Sequence, residues 1–268
     1  MPELPEVETI RGQLEAELVG EIISEVEVRR DKSWRGEIGQ VAGLRICEIK
    51  RVGKYLFFHT NQRVGIVGHL KMTGRMIVKN GAEYEAAKHT RVVIRFGSGK
   101  KLYFWDTRVF GYLEVVFDSK EKERLIRQRL GAEPWMMKDD EFYRLCQRYQ
   151  RPIKSLILDQ ELVAGVGNIY ANDGLWLAQI DPRRAAKTLT KKEAKRLLSA
   201  LCQVMERGLV LGGASDNSYV NAYGERGSYQ DEFLVYRRED KPCKKCTEKL
   251  KRVVIGGRGS FVCEKCQK

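Results

Sequence analysis

No apolar run in this chain approaches the roughly 18 residues that a membrane-crossing helix needs. Acid is in deficit: 49 Lys and Arg stand against 36 Asp and Glu in 268 residues, a formal net charge of +13. A paired cysteine framework is also missing, because Cys47, Cys146 and Cys202 are scattered singly among seven cysteines. That excludes a disulfide-stapled secreted scaffold, and each lone cysteine is expected to be a small buried hydrophobe. There is no internal repeat and no low-complexity tract. The N-terminus is acidic and has no secretory apolar segment, so a cytoplasmic protein is expected. A basic surplus of this size points to a polyanionic partner, nucleic acid or an acidic lipid surface.

The segments that are present fall into three parts. Val7, Ile10, Leu14 and Leu18 recur at helical spacing, between Pro5 and Gly20. Strand-like stretches follow: EIISEVEV, GLRICEIKRVGKYLFFHT, RVGIVGHLKMTGRMIV, TRVVIRF, KLYFWD and GYLEVVF. Many short strands with little helix between them indicate an antiparallel sandwich or barrel. From about Ser119 the pattern turns helical, over SKEKERLIRQRL, DDEFYRLCQRY, PIKSLILDQ, NIYANDGLWLA and TKKEAKRLLSALCQVMERGLVL. The polar stretch LGGASDNSYVNAYGERGSYQDE then reads as a long loop, a length that a compact chain usually keeps for function. The expectation is therefore an α+β chain with segments 1–118, 119–240 and 241–268, the last a small separate unit.

That last segment carries the most specific spacing. Cys243, Cys246, Cys263 and Cys266 form C-x2-C-x16-C-x2-C, which presents four thiolates to one Zn²⁺. RVVIGGRGSFV between the two cysteine pairs reads as a hairpin with Arg258 at its tip. A segment so small cannot bury enough core alone, so the zinc is expected to be structural. Other candidates are weaker. Gly165 and Gly167 precede a helix start at Asn168, which suits a phosphate or a plain turn capped by Asn168. GHLKMTG places His69, Lys71 and Met72 together, and DTRVFG places Arg108 and Phe110 two apart. An arginine and an aromatic can fill a hole in a base stack. On local grounds Met72 and Phe110 read equally as core, and Arg108 as a surface partner of Asp106.

MPELPEV, RVGKYLFF, GHLKMTGRM, DTRVFG, IKSLILDQELVAGVGNIYAND, the Gly212–Gly213 loop and GGRGSFVCEKCQ, in this order, resemble the blocks of the formamidopyrimidine-DNA glycosylases. These bacterial enzymes excise oxidised purines such as 8-oxoguanine and formamidopyrimidines. The resemblance spans essentially the whole chain. It implies an N-terminal antiparallel β-sandwich with a leading helix, a helix–two-turn–helix domain and a zinc-finger β-hairpin. It also implies damaged double-stranded DNA as partner, in a groove between the two halves, and a monomer. Within it, removal of Met1 bares the secondary amine of Pro2 as nucleophile, and Glu3 moves protons. Lys54 assists β-elimination and Arg258 assists δ-elimination, each holding phosphate. His69, His89, Lys154 and Asn168 are expected near DNA. Met72, Arg108 and Phe110 fill the gap left by a flipped base, which the loop near 212–229 caps. Glu6 takes a buried supporting role; on local grounds it is also a first-turn carboxylate favoured by the helix dipole. Two departures stand out: Asp173 replaces the commoner glutamate, and DTRVFG replaces DPRRFG. Three alternatives are an endonuclease VIII-like glycosylase for oxidised pyrimidines, a zinc-ribbon nucleic-acid binder without catalysis, and an inactive paralogue. The intact Pro2, Glu3, Lys54 and Arg258 argue against the last two.

Overall fold

The computed structural model describes residues 1–80, 88–216 and 218–268. Asn217, inside the expected capping loop, lies outside the described residues. Two compact bodies are present: Met1–Gln128 with Leu211–Ser228, and Arg129–Val210 with Tyr229–Lys268. These bodies do not coincide with the sequence segments 1–118, 119–240 and 241–268. The helical segment 119–128 and the loop 211–228 pack with the first body. The cysteine-rich tail packs with the helices of the second.

The first body opens with α1 (Leu4–Leu18), whose Leu4, Val7, Ile10, Leu14 and Leu18 are buried. Glu3 is its N-cap, and Gly20, at φ +92°, takes the chain out of it. Among the described residues nine strands follow: β1 (Ile23–Val28), β2 (Trp34–Arg35), β3 (Ile46–Val52), β4 (Tyr55–Thr60), β5 (Gly65–His69), β6 (Arg75–Lys79), β7 (Thr90–Phe96), β8 (Lys101–Trp105) and β9 (Tyr112–Val116). They form two sheets, β1-β7-β8-β6 and β2-β9-β5-β4-β3. Every pairing is antiparallel except the two-residue β2–β9 contact, which is parallel. Residues of both sheets and of α1 share one apolar cluster, including Ile10, Leu14, Ile49, Leu56, Met76, Val92, Phe104 and Leu113. Tyr219 and Ala222 of the long loop join it. α2 (Ser119–Arg129) is tied to β4 by His59, whose ring nitrogens meet Ser119 Oγ at 2.8 Å and Glu123 Oε2 at 2.9 Å.

The connections between sheets position the site. β5 pairs with β9 so that His69 faces Tyr112, and β6 pairs with β8 so that Arg75 faces Trp105. The turns β5–β6 and β8–β9 therefore leave the sheets at one end, side by side. They carry Met72 and Arg108–Phe110 respectively.

The second body contains α3 (Asp139–Gln147), α4 (Ile153–Ile157), α5 (Asn168–Leu177), α6 (Lys191–Val210) and the hairpin β10 (Lys251–Ile255)–β11 (Arg258–Val262). α5 is buried over nearly its whole length and packs on α6. Gly174 permits this, since a Cβ there would lie 2.7 Å from a Leu201 methyl. The tail shares a core of Val235, Cys243, Leu250, Phe261 and Cys263, with Trp176 and Tyr236 packed against it. Of the lone cysteines, Cys146 is buried and Cys202 half-buried, but Cys47 is exposed. Cys47 falls on an outward position of β3, so the expectation of a buried thiol is corrected there.

Candidate functional site

The candidate residues divide between the two bodies. In the first, Pro2, Glu3 and Glu6 are all buried at the head of α1. Glu6 Oε2 accepts the Glu3 N–H at 2.7 Å, and Glu6 Oε1 accepts the Ala214 N–H at 2.8 Å. A carboxylate at 1% exposure needs such donors, because an unpaired buried charge is expensive. Gly213 allows the approach: at φ +86°, a Cβ would meet Glu6 Cγ at 2.8 Å. The Tyr219 hydroxyl donates to Gly212 O at 3.0 Å. Burial, and then the Glu6 carboxylate, push that phenol well above its ordinary pKa, so it remains a donor. Glu6 is thus a tether between the helix head and the long loop, beyond its favourable place in the first turn. With Met1 attached, the Pro2 nitrogen is an amide.

Lys54 is buried in the β3–β4 turn, after Gly53 at φ +56°. His69, at the end of β5, lies between Tyr55 and Tyr112, and its Nδ1 accepts the Lys71 N–H at 3.0 Å. Burial first, and then Lys71 and Lys54, hold its pKa down at about 3. His69 is therefore a neutral buried acceptor. It brings no positive charge to a phosphate, and it shapes the turn that carries Lys71 and Met72. His89 is half-buried, edge-on to Trp105, with Arg91 Nη2 at 3.3 Å from its Nδ1.

Met72 and Phe110 are 42% and 53% exposed, which removes the reading of both as core. Arg108 Nη1 donates to Met72 Sδ at 3.1 Å, and its guanidinium lies 4.9 Å from the Phe110 ring centroid. The three side chains touch one another at the tips of the two adjacent turns. Arg108 makes no ion pair with Asp106. The Asp106 carboxylate, fully buried, accepts backbone N–H groups instead, from Arg108 at 3.1 Å, Phe110 at 2.9 Å and Gly111 at 2.8 Å.

The long loop is folded onto the first body. Ser215 Oγ donates to Tyr219 O at 2.9 Å and accepts the Gly227 N–H at 2.9 Å. Asn221 Oδ1 accepts the Tyr223 and Glu225 N–H groups. Ala222 docks its N–H on Gln13 Oε1 and its carbonyl on the Val78 N–H, both at 2.8 Å.

In the second body, three of the candidates converge. Gly256 and Gly257, at φ +55° and +73°, make the tight β10–β11 turn and leave Arg258 exposed beside it. The Gly259 carbonyl accepts from Lys154 Nζ at 2.9 Å and from Asn168 Nδ2 at 3.1 Å. Lys154 Nζ also donates to Ser260 Oγ at 2.7 Å, and Lys154 is fully buried. Lys154 therefore anchors the hairpin from within and does not offer its ammonium at the surface. Asn168 is the first residue inside α5, and Gly167 is the N-cap. Asn168 thus leaves the helix end uncapped by its side chain and reaches across to the hairpin. Asn172 adds a third bond, accepting the Phe261 N–H at 2.8 Å.

The four cysteine sulfurs all lie within 4.8 Å of one another. Cys243 and Cys266 are 4.0 Å apart and Cys246 and Cys263 3.4 Å. Zn–S bonds of about 2.3 Å at tetrahedral angles place sulfurs about 3.8 Å apart, so the cluster fits zinc. Trp176 Nε1 and the Lys245 N–H donate to Cys243 Sγ, both at 3.4 Å, which orients that ligand.

Sequence reasoning named Asp106 and Asp173 but missed that each is a buried carboxylate organising a loop. Asp106 serves the β8–β9 turn, and Asp173 accepts the N–H groups of Leu234, Val235 and Tyr236 and the Tyr229 hydroxyl. For Asp106 a signal was available, since an aspartate opening a loop commonly accepts N–H groups a few residues on. For Asp173, bonded 56–63 residues away, there was none.

Domain profiles match along this chain in order. They are the formamidopyrimidine-DNA glycosylase N-terminal domain over residues 1–113, its helix–two-turn–helix domain over 130–219, and the zinc finger found in these enzymes and in isoleucyl-tRNA synthetase over 240–268. Together with the geometry above, they define a zinc-finger DNA glycosylase of base-excision repair. The chain is 40% identical over 278 residues to the formamidopyrimidine-DNA glycosylase of Desulfitobacterium hafniense, covering all of both chains. It is 40% identical to the crystal structure of the Thermus thermophilus enzyme, covering 99% of this chain and 98% of that one, with a TM-score of 0.89. The Lactococcus lactis enzyme, crystallised in complex with abasic-site DNA, superposes with a TM-score of 0.91 at 29% identity, covering 99% of each chain. The chain belongs to the formamidopyrimidine-DNA glycosylase family, and it carries that family's structural zinc site.

Proposed function

We propose that this protein excises oxidised purines from duplex DNA and cleaves the resulting site, with the Pro2 amine as nucleophile. The buried Pro2–Glu3 head of α1, tied through Glu6 to the 211–228 loop, carries this reading. An α-amino group titrates near pH 8, so part of it is free base at neutrality. After removal of Met1, the Pro2 nitrogen attacks C1′ of the damaged nucleotide, and the base leaves with the glycosidic electron pair. Glu3 supplies a proton to the sugar ring oxygen as the C1′–O4′ bond breaks, and the nitrogen lone pair closes the C1′=N⁺ bond of a ring-opened iminium, the amine N–H proton having been lost to solvent. The resulting iminium acts as an electron sink without further protonation. Loss of the C2′ proton expels the 3′-phosphate, and a second elimination expels the 5′-phosphate. Lys54 and Arg258 hold these phosphates, and the α5 N-terminus with Asn168 offers N–H groups to a third.

A base inside a duplex is unreachable, and glycosylases are a general case of enzymes that extrude their target. The exposed Met72, Arg108 and Phe110 fill the vacated space. The loop held by Ser215, Asn221 and Ala222 covers the flipped purine. The Lactococcus lactis relative is crystallised with formamidopyrimidine-containing DNA, which supports the purine reading. Among the described residues no helix is long and apolar enough to cross a membrane. The net charge of +13 suits a monomer acting on DNA in the cytoplasm.

Borohydride reduction on an 8-oxoguanine duplex tests the chemistry. Met1-processed protein is expected to give a covalent adduct mapped to Pro2, and Pro2→Gly to lower its yield. Equal adduct from protein with Met1 retained rejects Pro2 as the nucleophile.

A further inference from the structure

We propose that Asp106 is the positioning residue that holds Met72, Arg108 and Phe110 as one rigid gap-filling unit. This rests on the reading of those three residues given above. They belong to two separate turns, β5–β6 and β8–β9, with no ladder bonds between their tips. Asp106 stands at the start of the second turn, and its carboxylate serves both. Oδ1 accepts the Arg108 N–H at 3.1 Å and the hydroxyl of Thr73, which neighbours Met72 in the first turn. Oδ2 accepts the N–H groups of Phe110 at 2.9 Å and Gly111 at 2.8 Å. Four donors converge on one buried carboxylate, and three of them fix the backbone from 108 to 111.

Two further observations point the same way. Lys71 and Val109, one in each turn, adopt φ of +51° and +56°. Non-glycine residues enter this region at a cost, β-branched ones most of all, and persist there only where surrounding bonds over-determine the backbone. The Asp106 bonds on either side of Val109 supply that constraint. The main chain of Asp106 is also held, because its carbonyl accepts Arg91 Nε at 2.6 Å and its N–H donates to His89 O at 3.0 Å. Asp106 therefore links the gap-filling tips to the half-buried His89. Without its carboxylate, the Arg108 guanidinium and Phe110 ring would sit on a mobile turn, and Arg108 would lose its aim at an orphaned base.

An asparagine keeps the shape but presents one acceptor oxygen and an NH₂ group facing N–H donors. The test is single-turnover excision of 8-oxoguanine opposite cytosine and opposite adenine, with wild type, Asp106→Asn, Thr73→Val, Arg108→Ala and Asp106→Asn/Arg108→Ala. General destabilisation lowers both rates together and leaves their ratio unmoved. Asp106→Asn is expected to lower the cytosine-to-adenine ratio by about fivefold or more, within the range of one base-edge contact. Thr73→Val should lower it less. The double variant should match Arg108→Ala alone, because the two act through one contact. If Asp106→Asn does not fold, Thr73→Val decides by itself. A wild-type ratio in the folded Asp106→Asn and Thr73→Val variants, with the ratio lost in Arg108→Ala, overturns the role of Asp106. A wild-type ratio in Arg108→Ala overturns the reading of Arg108 instead.

Discussion

Replacing His69 by glutamine tests how the basic turn of the first body is stabilised. His69 is 8% exposed, lies between two tyrosines, and accepts the Lys71 N–H. Burial, Lys71 and Lys54 lower its pKa from 6.5 to about 3. Between those values the unfolded chain binds a proton that the folded chain refuses. Stability is therefore complete above about pH 6.5 and is lost as pH falls through the window toward 3. At pH 5 the unfolded imidazole lies about 1.5 units below its pKa, and at about 1.36 kcal/mol per unit the loss is about 2 kcal/mol. This figure depends on the solvated pKa, because the folded value lies well below pH 5. Glutamine retains an oxygen for the Lys71 N–H and titrates nothing. Urea unfolding of both proteins at pH 7.5 and pH 5.0, followed by tryptophan fluorescence, gives the comparison. Wild type is expected to lose about 2 kcal/mol more than His69→Gln on acidification. Proton competition at the cysteine cluster is common to both proteins and cancels. Equal losses would refute the account of a buried, neutral His69.

Two other outcomes follow from the same geometry. Chelation of zinc, or Cys243→Ser, should release the hairpin, because the core around Cys243, Phe261 and Trp176 loses its cross-link. Metal analysis should return one zinc per chain, and DNA affinity should fall as Arg258 loses its platform; unchanged binding by metal-free protein would contradict this. Phe110→Ala removes a side chain that is more than half exposed, so folding stability should change by less than about 0.5 kcal/mol. Excision should nevertheless slow on 8-oxoguanine opposite cytosine and opposite adenine alike, a comparison that single-turnover rates on the two duplexes make directly.

Local pattern alone was enough for most of the elements, although not for the two-residue β2 (Trp34–Arg35). The spacing of Val7, Ile10, Leu14 and Leu18 matches α1, and TRVVIRF coincides with β7 from Thr90 to Phe96. The cysteine spacing likewise sufficed to designate the metal site, because two C-x2-C turns and a hairpin bring four sulfurs together by short-range geometry. These features depend on neighbours within a few residues, or on one short connection. Tertiary structure decided what each polar side chain does. Lys154 resembles a surface lysine in sequence, but its ammonium is spent on Gly259 and Ser260, more than a hundred residues away. Met72 and Phe110 match core residues in composition, yet the paired registers of β5–β9 and β6–β8 put them at exposed tips. Asp173 carries no pattern that marks it as a hub, because its partners lie 56–63 residues away and are set by which loop the fold brings to it. Side-chain periodicity encodes which face of an element is buried, while hydrogen-bond satisfaction of a buried charge is settled only when distant segments meet.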